Sequence, residues 1–196
     1  MRSLIAAVLL LSLPAAASTW EGDPAHTTST FSVRHMMVTN VRGEFGKTTA
    51  TVQQDDKDIT KSTVEVTIDT TTIDTRQPKR DAHLKSPDFF DVEKFPTMTF
   101  KSTKITKGEG SKLKVEGNLT LHGVTKPVIF DVDVTPEITN RGQTHKGVTA
   151  NTKINRKDFG LNWNQTLETG GVLVGDDVQI TIEAELHKKD APTAAK

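Results

Sequence analysis

The chain has 196 residues with 25 basic and 25 acidic side chains, no Cys, and an apolar share of only 34%. The missing Cys excludes a disulfide framework, a thiolate nucleophile, a zinc finger and a lipid-modified Cys at a mature N-terminus. A formal net charge of zero argues against a nucleic-acid partner, which needs a surplus of Lys and Arg on one face, and the length fits one domain or two small ones.

At the start of the chain, Met1-Arg2-Ser3 is positively charged, Leu4 to Leu13 is apolar and Ala15-Ala16-Ala17 is a run of small residues. This is the layout of a secretory signal. The alternative is a retained anchor, but the run is short for a bilayer and no second apolar stretch follows. The expected organisation is a signal over residues 1–17, one domain over 18–187 and a disordered tail over 188–196, in an exported protein without stable membrane insertion. Removing the signal lowers the apolar share further, so the core should be thin or hollow.

Periodicity of two runs through the rest. Phe31, Val33 and His35 alternate with Ser32, Arg34 and Met36; Val64, Val66 and Ile68 alternate with polar residues; and the pattern recurs at Leu113 to Leu121, Val128 to Val134, Val148 to Ile154 and Val178 to Leu186. Each reads as a strand with one apolar and one wet face. Thr is about 15% of the chain, and its β-branched side chain suits such half-exposed strands. With Glu44 to Val52 and Met98 to Ile105 the segments number about eight. Polar or Gly-rich links such as Lys107-Gly108-Glu109-Gly110 and Asn140-Arg141-Gly142 make them an antiparallel meander, which closes into a barrel or splits into a sandwich.

One stretch breaks the rhythm. Thr72 to Pro96 is far longer than a hairpin needs. Pro78 opens a short helix over Lys79 to Lys85, and Asp88-Phe89-Phe90 follows as an apolar knob, so the piece suits a lid across one end of a barrel.

The candidate chemistry is sparse. Arg80, Asp81 and His83 form a charged group in which His83 is a candidate base, but no nucleophile accompanies it and helical spacing turns Asp81 and His83 to different sides. The structural reading is that Arg80 and Asp81 pair with neighbours and fix the loop. The six His show no metal-ligand spacing, though His26 and His35 are candidates to meet across strands; no metal and no cofactor is expected. Asn118-Leu119-Thr120 and Asn164-Gln165-Thr166 are silent sequons, and Asn155-Arg156-Lys157-Asp158 reads as a structural turn. The aromatics, eight Phe and two Trp without Tyr, together with Met36, Met37 and Met98, either line a soft apolar pocket or fill an ordinary core. Gly117, Ala150, Thr152 and Ala184 leave room inside, and the pattern keeps both readings open.

Five blocks carry a family resemblance: DPAHTTSTFSVRHMMVTNVRGEFG (Asp23 to Gly46), RDAHLKSPDFFDVEKFP (Arg80 to Pro96), GNLTLHGVTKPV (Gly117 to Val128), NRKDFGL (Asn155 to Leu161) and GDDVQITIEAEL (Gly175 to Leu186). Together they closely resemble the YceI-like family of secreted lipocalin-like proteins, over nearly the whole chain after the signal. The resemblance implies an all-β, eight-stranded antiparallel lipocalin-like barrel with a short helical lid, holding a polyisoprenoid, isoprenoid quinone or fatty-acyl chain in the bacterial periplasm, often as a homodimer. Thr27-Thr28 and the absence of Tyr depart from the family's commoner pattern. On this reading the tunnel wall is Phe31, Val33, Phe45, Val64, Val66, Phe100, Leu119, Phe130, Ile154 and Phe159. Leu84, Phe89 and Phe90 close its mouth, and Arg80, Asp81 and His83 lie at the head group or hold the lid. Two alternatives from other classes are a lipid-processing enzyme using Arg80, Asp81 and His83, and a filled β-sandwich acting as an interaction module.

Overall fold

The structure, a computed structural model, describes residues 17–168 and 170–189. The expected signal, apart from Ala17, and the tail from residue 190 lie outside the described residues.

Eleven strands and one α-helix follow in chain order: β1 (Ala17–His35), β2 (Thr39–Phe45), β3 (Thr48–Asp55), β4 (Thr63–Asp69), β5 (Ile73–Asp74), α1 (Pro78–Lys85), β6 (Thr97–Lys107), β7 (Lys112–Leu121), β8 (Val124–Val134), β9 (Ile138–Asn140), β10 (Gln143–Asn155) and β11 (Val174–Lys188). All pairings are antiparallel, and β1 closes the sheet on β11 from Trp20↔Lys188 to His35↔Val174. The closed path β1-β3-β4-β6-β7-β8-β10-β11 is an eight-stranded barrel, not a sandwich. The segment expected as one strand from Glu44 to Val52 is broken at Gly46 and Lys47 into β2 and β3, which pair with the two halves of β1. The last strand, β11, runs through Lys188.

The alternation explains the pairing. In β7, Val115, Gly117, Leu119 and Leu121 face inward, and in β8 Val128, Phe130 and Val132 do the same. In β6 the inward set Met98, Phe100 and Ser102 is followed by Ile105, a change of parity that falls where the register against β7 shifts between Ser102 and Lys104. A bulge adds one residue to one strand, so the next inward side chain falls on the opposite parity. The inward Ser102 is satisfied because its Oγ accepts the Val64 N–H at 2.8 Å.

The two ends of the barrel differ. At the end where β1 begins, Trp20 is fully buried against Ala184 and Leu186, and its Nε1 donates to Ser18 Oγ at 3.0 Å. Lys146 lies inside as well, its Nζ 3.6 Å from the centre of the Trp20 ring and hydrogen-bonded to Gln54 Oε1. This end is a filled plug. The larger core surrounds Phe45, Phe100, Phe130 and Phe159 in the middle and opposite end.

Gly117, one of the small inward residues that left room in the sequence, leaves none in the barrel. A Cβ on Gly117 would collide with the Phe100 ring, and one on Gly43 with the Phe31 ring. Glycine here is the space into which an aromatic ring from the neighbouring strand lies flat.

Burial pushes the Lys146 ammonium down to about 8 from its usual 10.5, with the nearby Lys188 charge acting the same way. Between those two values the unfolded chain holds this proton and the folded chain does not, so the group's contribution to stability rises with pH through the window and its penalty is full below pH 8. We expect the difference in unfolding free energy between Lys146→Met and the wild type to shrink as pH rises from 8 to 10.5, measured by urea titration; a pH-independent difference would contradict the plug as described.

Candidate functional site

At the end of the barrel opposite Trp20 there is an apolar cavity of about 270 Å³. Every barrel strand except β3 contributes to its wall, through residues that include Phe31, Val66, Phe100, Leu119, Phe130, Ile154 and Ile182. Two long connections roof it. The first is the stretch from β5 to β6, containing α1. The second is the 156–173 segment between β10 and β11.

The first connection is fastened by its own polar groups. Gln77 caps α1, its Oε1 accepting from Lys79 N–H at 2.7 Å, and Pro78 occupies the first turn, where a missing N–H costs nothing. Arg80 Nε donates to Thr75 Oγ1 and its Nη2 to the Thr75 carbonyl, both at 2.8 Å, while Asp81 Oδ1 accepts the Thr75 N–H at 2.9 Å and the Thr75 hydroxyl. Arg80 and Asp81 therefore clamp a buried threonine and hold the helix in place. His83 Nε2 lies 2.8 Å from Asp88 Oδ2, not near Asp81. Asp81 does not line the cavity; Arg80 and His83 do. The acid–base group of the enzyme reading is thus split, because the Asp81 carboxylate is used by Thr75.

The second connection is organised around Arg156. Its side chain is 4% exposed and donates to the carbonyls of Leu161, Trp163 and Gly175, with Asp176 Oδ1 at 3.5 Å. A buried guanidinium is tolerated where its donors are satisfied and a carboxylate is near. Burial lowers its pKa and Asp176 opposes that; an arginine stays charged regardless. Asn164 adds a backbone-like pair, its Nδ2 donating to the Val174 carbonyl at 2.7 Å and its Oδ1 accepting the Val174 N–H at 3.0 Å, so the amide of this sequon is engaged in the fold.

The two connections meet over the cavity through rings. Trp163 lies 4.8 Å from His83, edge to face, and 5.2 Å from Phe89, centre to centre. Below them Phe90 packs edge-on to Phe45 at 5.7 Å. Such pairs contribute roughly 0.5–1.5 kcal/mol beyond simple burial, enough to seat a roof and little enough to let it lift.

Of the expected wall and mouth, Phe31, Val33, Phe45, Val66, Leu84, Phe89, Phe90, Phe100, Leu119, Phe130 and Ile154 line the cavity. Val64 and Phe159 do not: Val64 pairs with Val52 away from the cavity, and Phe159, 1% exposed, sits in the core. Met98 lines the wall, but Met36 and Met37 form the turn between β1 and β2, exposed by 44% and 58% and both at positive φ. The Val38 N–H closes that turn on the His35 carbonyl, which throws both methionines outward. His26, in the irregular stretch of β1 between Gly22 and Thr27, and His35, at the last β1–β11 pair, lie on the same strand and do not meet. Sequence reasoning missed Trp163, Leu161, Leu173 and Arg156. The signal for them was the distance between the last two strands, too great for a hairpin.

The charged side chains on the wall share one sign. Arg34, Arg80 and Arg156 line the cavity with His35 and His83, and among the described residues no carboxylate does.

Comparison with known proteins agrees with the geometry. The YceI-like domain matches residues 20–186. A UPF0312 protein of Staphylococcus aureus (strain N315) is 38% identical over 165 residues, 83% of this chain and 94% of the relative. Among solved structures, the YceI protein of Campylobacter jejuni superposes with a TM-score of 0.69 at 31% identity, covering 80% of this chain and 90% of that one. Burkholderia cenocepacia BcnA gives 0.73 at 25%, covering 84% and 98%. A polyisoprenoid-binding domain from Saccharophagus degradans shares the fold at 0.65 and 14% identity, covering 87% and 98%.

Arg156→Met should lower the unfolding free energy by roughly 3 kcal/mol, since it leaves several buried carbonyls without donors. Urea denaturation reads the loss, and hydrogen exchange should place the added opening in 156–173. A variant as stable as the wild type would remove Arg156 from this role.

Proposed function

The chain belongs to the YceI-like family, and from that premise we propose that it is a binding protein that carries a long apolar chain of the polyisoprenoid, isoprenoid-quinone or fatty-acyl type. The observation that carries the reading is the roofed apolar cavity at one end of a barrel whose other end is filled. The polyisoprenoid binding reported for the neighbour from Saccharophagus degradans points to the same class.

The physical case rests on transfer. Each buried CH₂ contributes about 0.8 kcal/mol, so a ten-carbon stretch gains about 8 kcal/mol before the cost of immobilising it. No charge contact is needed for that, so chain selectivity is loose. The cavity of about 270 Å³ is slightly smaller than the roughly 300–1,000 Å³ of common small-molecule sites. A longer chain is therefore accommodated by the soft Met98 and by lifting the ring contacts of the roof. The residues that would meet it are the lining residues among those expected from the sequence, together with Trp163, Leu161 and Ile182. The cationic rim of Arg34 and Arg80 favours an anionic or electron-rich head group over a quaternary ammonium.

We read the protein as a binder and not an enzyme. Asp81 is engaged with Thr75 and His83 with Asp88, which supports a roof-holding role for the group. The setting we propose is the periplasm, supported by the basic start, apolar run and small-residue site of residues 1–17. Among the described residues no helix is long and apolar enough to cross a membrane. A homodimer belongs to the proposal through the family resemblance.

Three outcomes test this. An apolar fluorescent probe should be taken up with one site per chain and displaced by acyl or prenyl chains more strongly as they lengthen; no saturable uptake would overturn the carrier. Ile182→Trp should fill the cavity and weaken uptake at least tenfold, while overpacking costs about 1–3 kcal/mol of stability. Between amphiphiles of equal chain, a carboxylate or phosphate head should displace the probe better than a trimethylammonium head, and the reverse order would remove the rim from recognition.

A further inference from the structure

At the closing seam of the barrel, on its outer face and near the plugged end, four side chains from three strands converge. The register of β1 against β11 breaks between Gly22↔Leu186 and Thr27↔Ala184, so Asp23, Pro24, Ala25 and His26 loop out opposite Glu185. Within the loop the Asp23 carboxylate accepts the Ala25 N–H at 2.9 Å and lies 2.8 Å from His26 Nδ1. One ligand atom from each of Asp23, His26 and Glu185 lies within 4.8 Å of the others. From β10, where His145 pairs with His187 and Gly147 with Glu185, the His145 Nδ1 reaches to 2.9 Å from Glu185 Oε1.

The His145 contact is the telling one. Its Nδ1 is buried and makes no hydrogen bond despite that short distance. A nitrogen and a carboxylate oxygen placed this close, with no proton shared in line between them, have lone pairs available to a third atom. Ligand atoms around a divalent cation with bonds of about 2.1 Å lie about 3.0–4.2 Å apart; those of Asp23, His26 and Glu185 lie within 4.8 Å of one another, and His145 joins the group through Glu185.

We propose that Asp23, His26, His145 and Glu185 form a binding site for a divalent transition-metal cation. Two imidazoles with two carboxylates select zinc, nickel or copper over calcium or magnesium, which take all-oxygen sets. The ligands come from β1, β10 and β11, so the ion ties the first strand to the last two where the sheet closes. Binding and folding are then coupled, since the site exists only in the closed barrel. The exposed position of His26 gives an open site of moderate affinity. The sequence did not reveal it, because the Asp23 and His26 pair lies more than a hundred residues from His145 and Glu185, and only strand register brings the two pairs together. It lies at the opposite end from the cavity and does not depend on what the cavity holds.

The test is zinc chloride titrated into tag-free protein stripped with a chelator and desalted, read by calorimetry and by competition with a chromophoric chelator. The expected result is one equivalent bound with a micromolar or tighter dissociation constant, together with a rise in the thermal midpoint. His26→Ala and Glu185→Gln should each weaken binding at least tenfold, Asp23→Asn should weaken it by a similar factor, and His122→Asn, remote from the seam, should leave it unchanged. Because all four ligands lie on the outer face, circular dichroism should show the variants folded. Absence of saturable uptake, retention of full affinity in His26→Ala and Glu185→Gln, or equal affinity for calcium would each overturn the proposal.

Discussion

Exclusion of water at one end of the barrel is the constraint that everything else serves. An eight-stranded barrel has an interior that side chains just fill, and here the filling stops part way. Trp20, Leu186 and the shielded ammonium of Lys146 close one end solidly. At the other end the wall is apolar but incomplete, and the missing part is supplied by two chain segments meeting through His83, Phe89 and Trp163. Without them the apolar wall would lie open to solvent, an unfavourable exposure for a chain with so small an apolar share.

The polar groups around the cavity have a common purpose in this arrangement. Thr75 is gripped by both Arg80 and Asp81, and Arg156 is bound to four backbone carbonyls of its own loop and of the start of β11. Neither set leaves a reactive pair. What they leave is a roof pinned at its edges by hydrogen bonds and closed at its centre by ring contacts, so the centre yields before the edges do. On the proposed reading, that division would let an apolar guest pass without unravelling the strands beneath.

Much of this was legible in the order of residues. The alternations of β7 and β8 are clean because each strand has one wet and one dry face, and Pro78 followed by a polar stretch marks the only α-helix among the described residues. The mouth residues Leu84, Phe89 and Phe90 were marked by the length of their connection. Other features were hidden for identifiable reasons. Period two assigns a face to Val64 but not a height along the barrel, so a wall residue and a core residue look alike. Gly117 reads as empty space, yet the Phe100 ring lies in it, since a pattern contains no rotamers. Met36 and Met37 read as soft pocket lining, but a tight turn with both at positive φ turns them outward. Arg156 reads as part of a surface turn until the carbonyls that surround it are seen. The gathering of His26 and Glu185 depends on register across the seam, which no local window contains.

The central claim is that the barrel's dry end is completed by a guest and not by the protein's own side chains. Native mass spectrometry of the protein released from the host that makes it, without detergent, tests this most directly. The expected result is a population heavier than the bare polypeptide by the mass of one chain-like lipid, converting to the bare mass on gentle activation. A single species at the bare polypeptide mass, under conditions that preserve apolar complexes of other carriers, would contradict it.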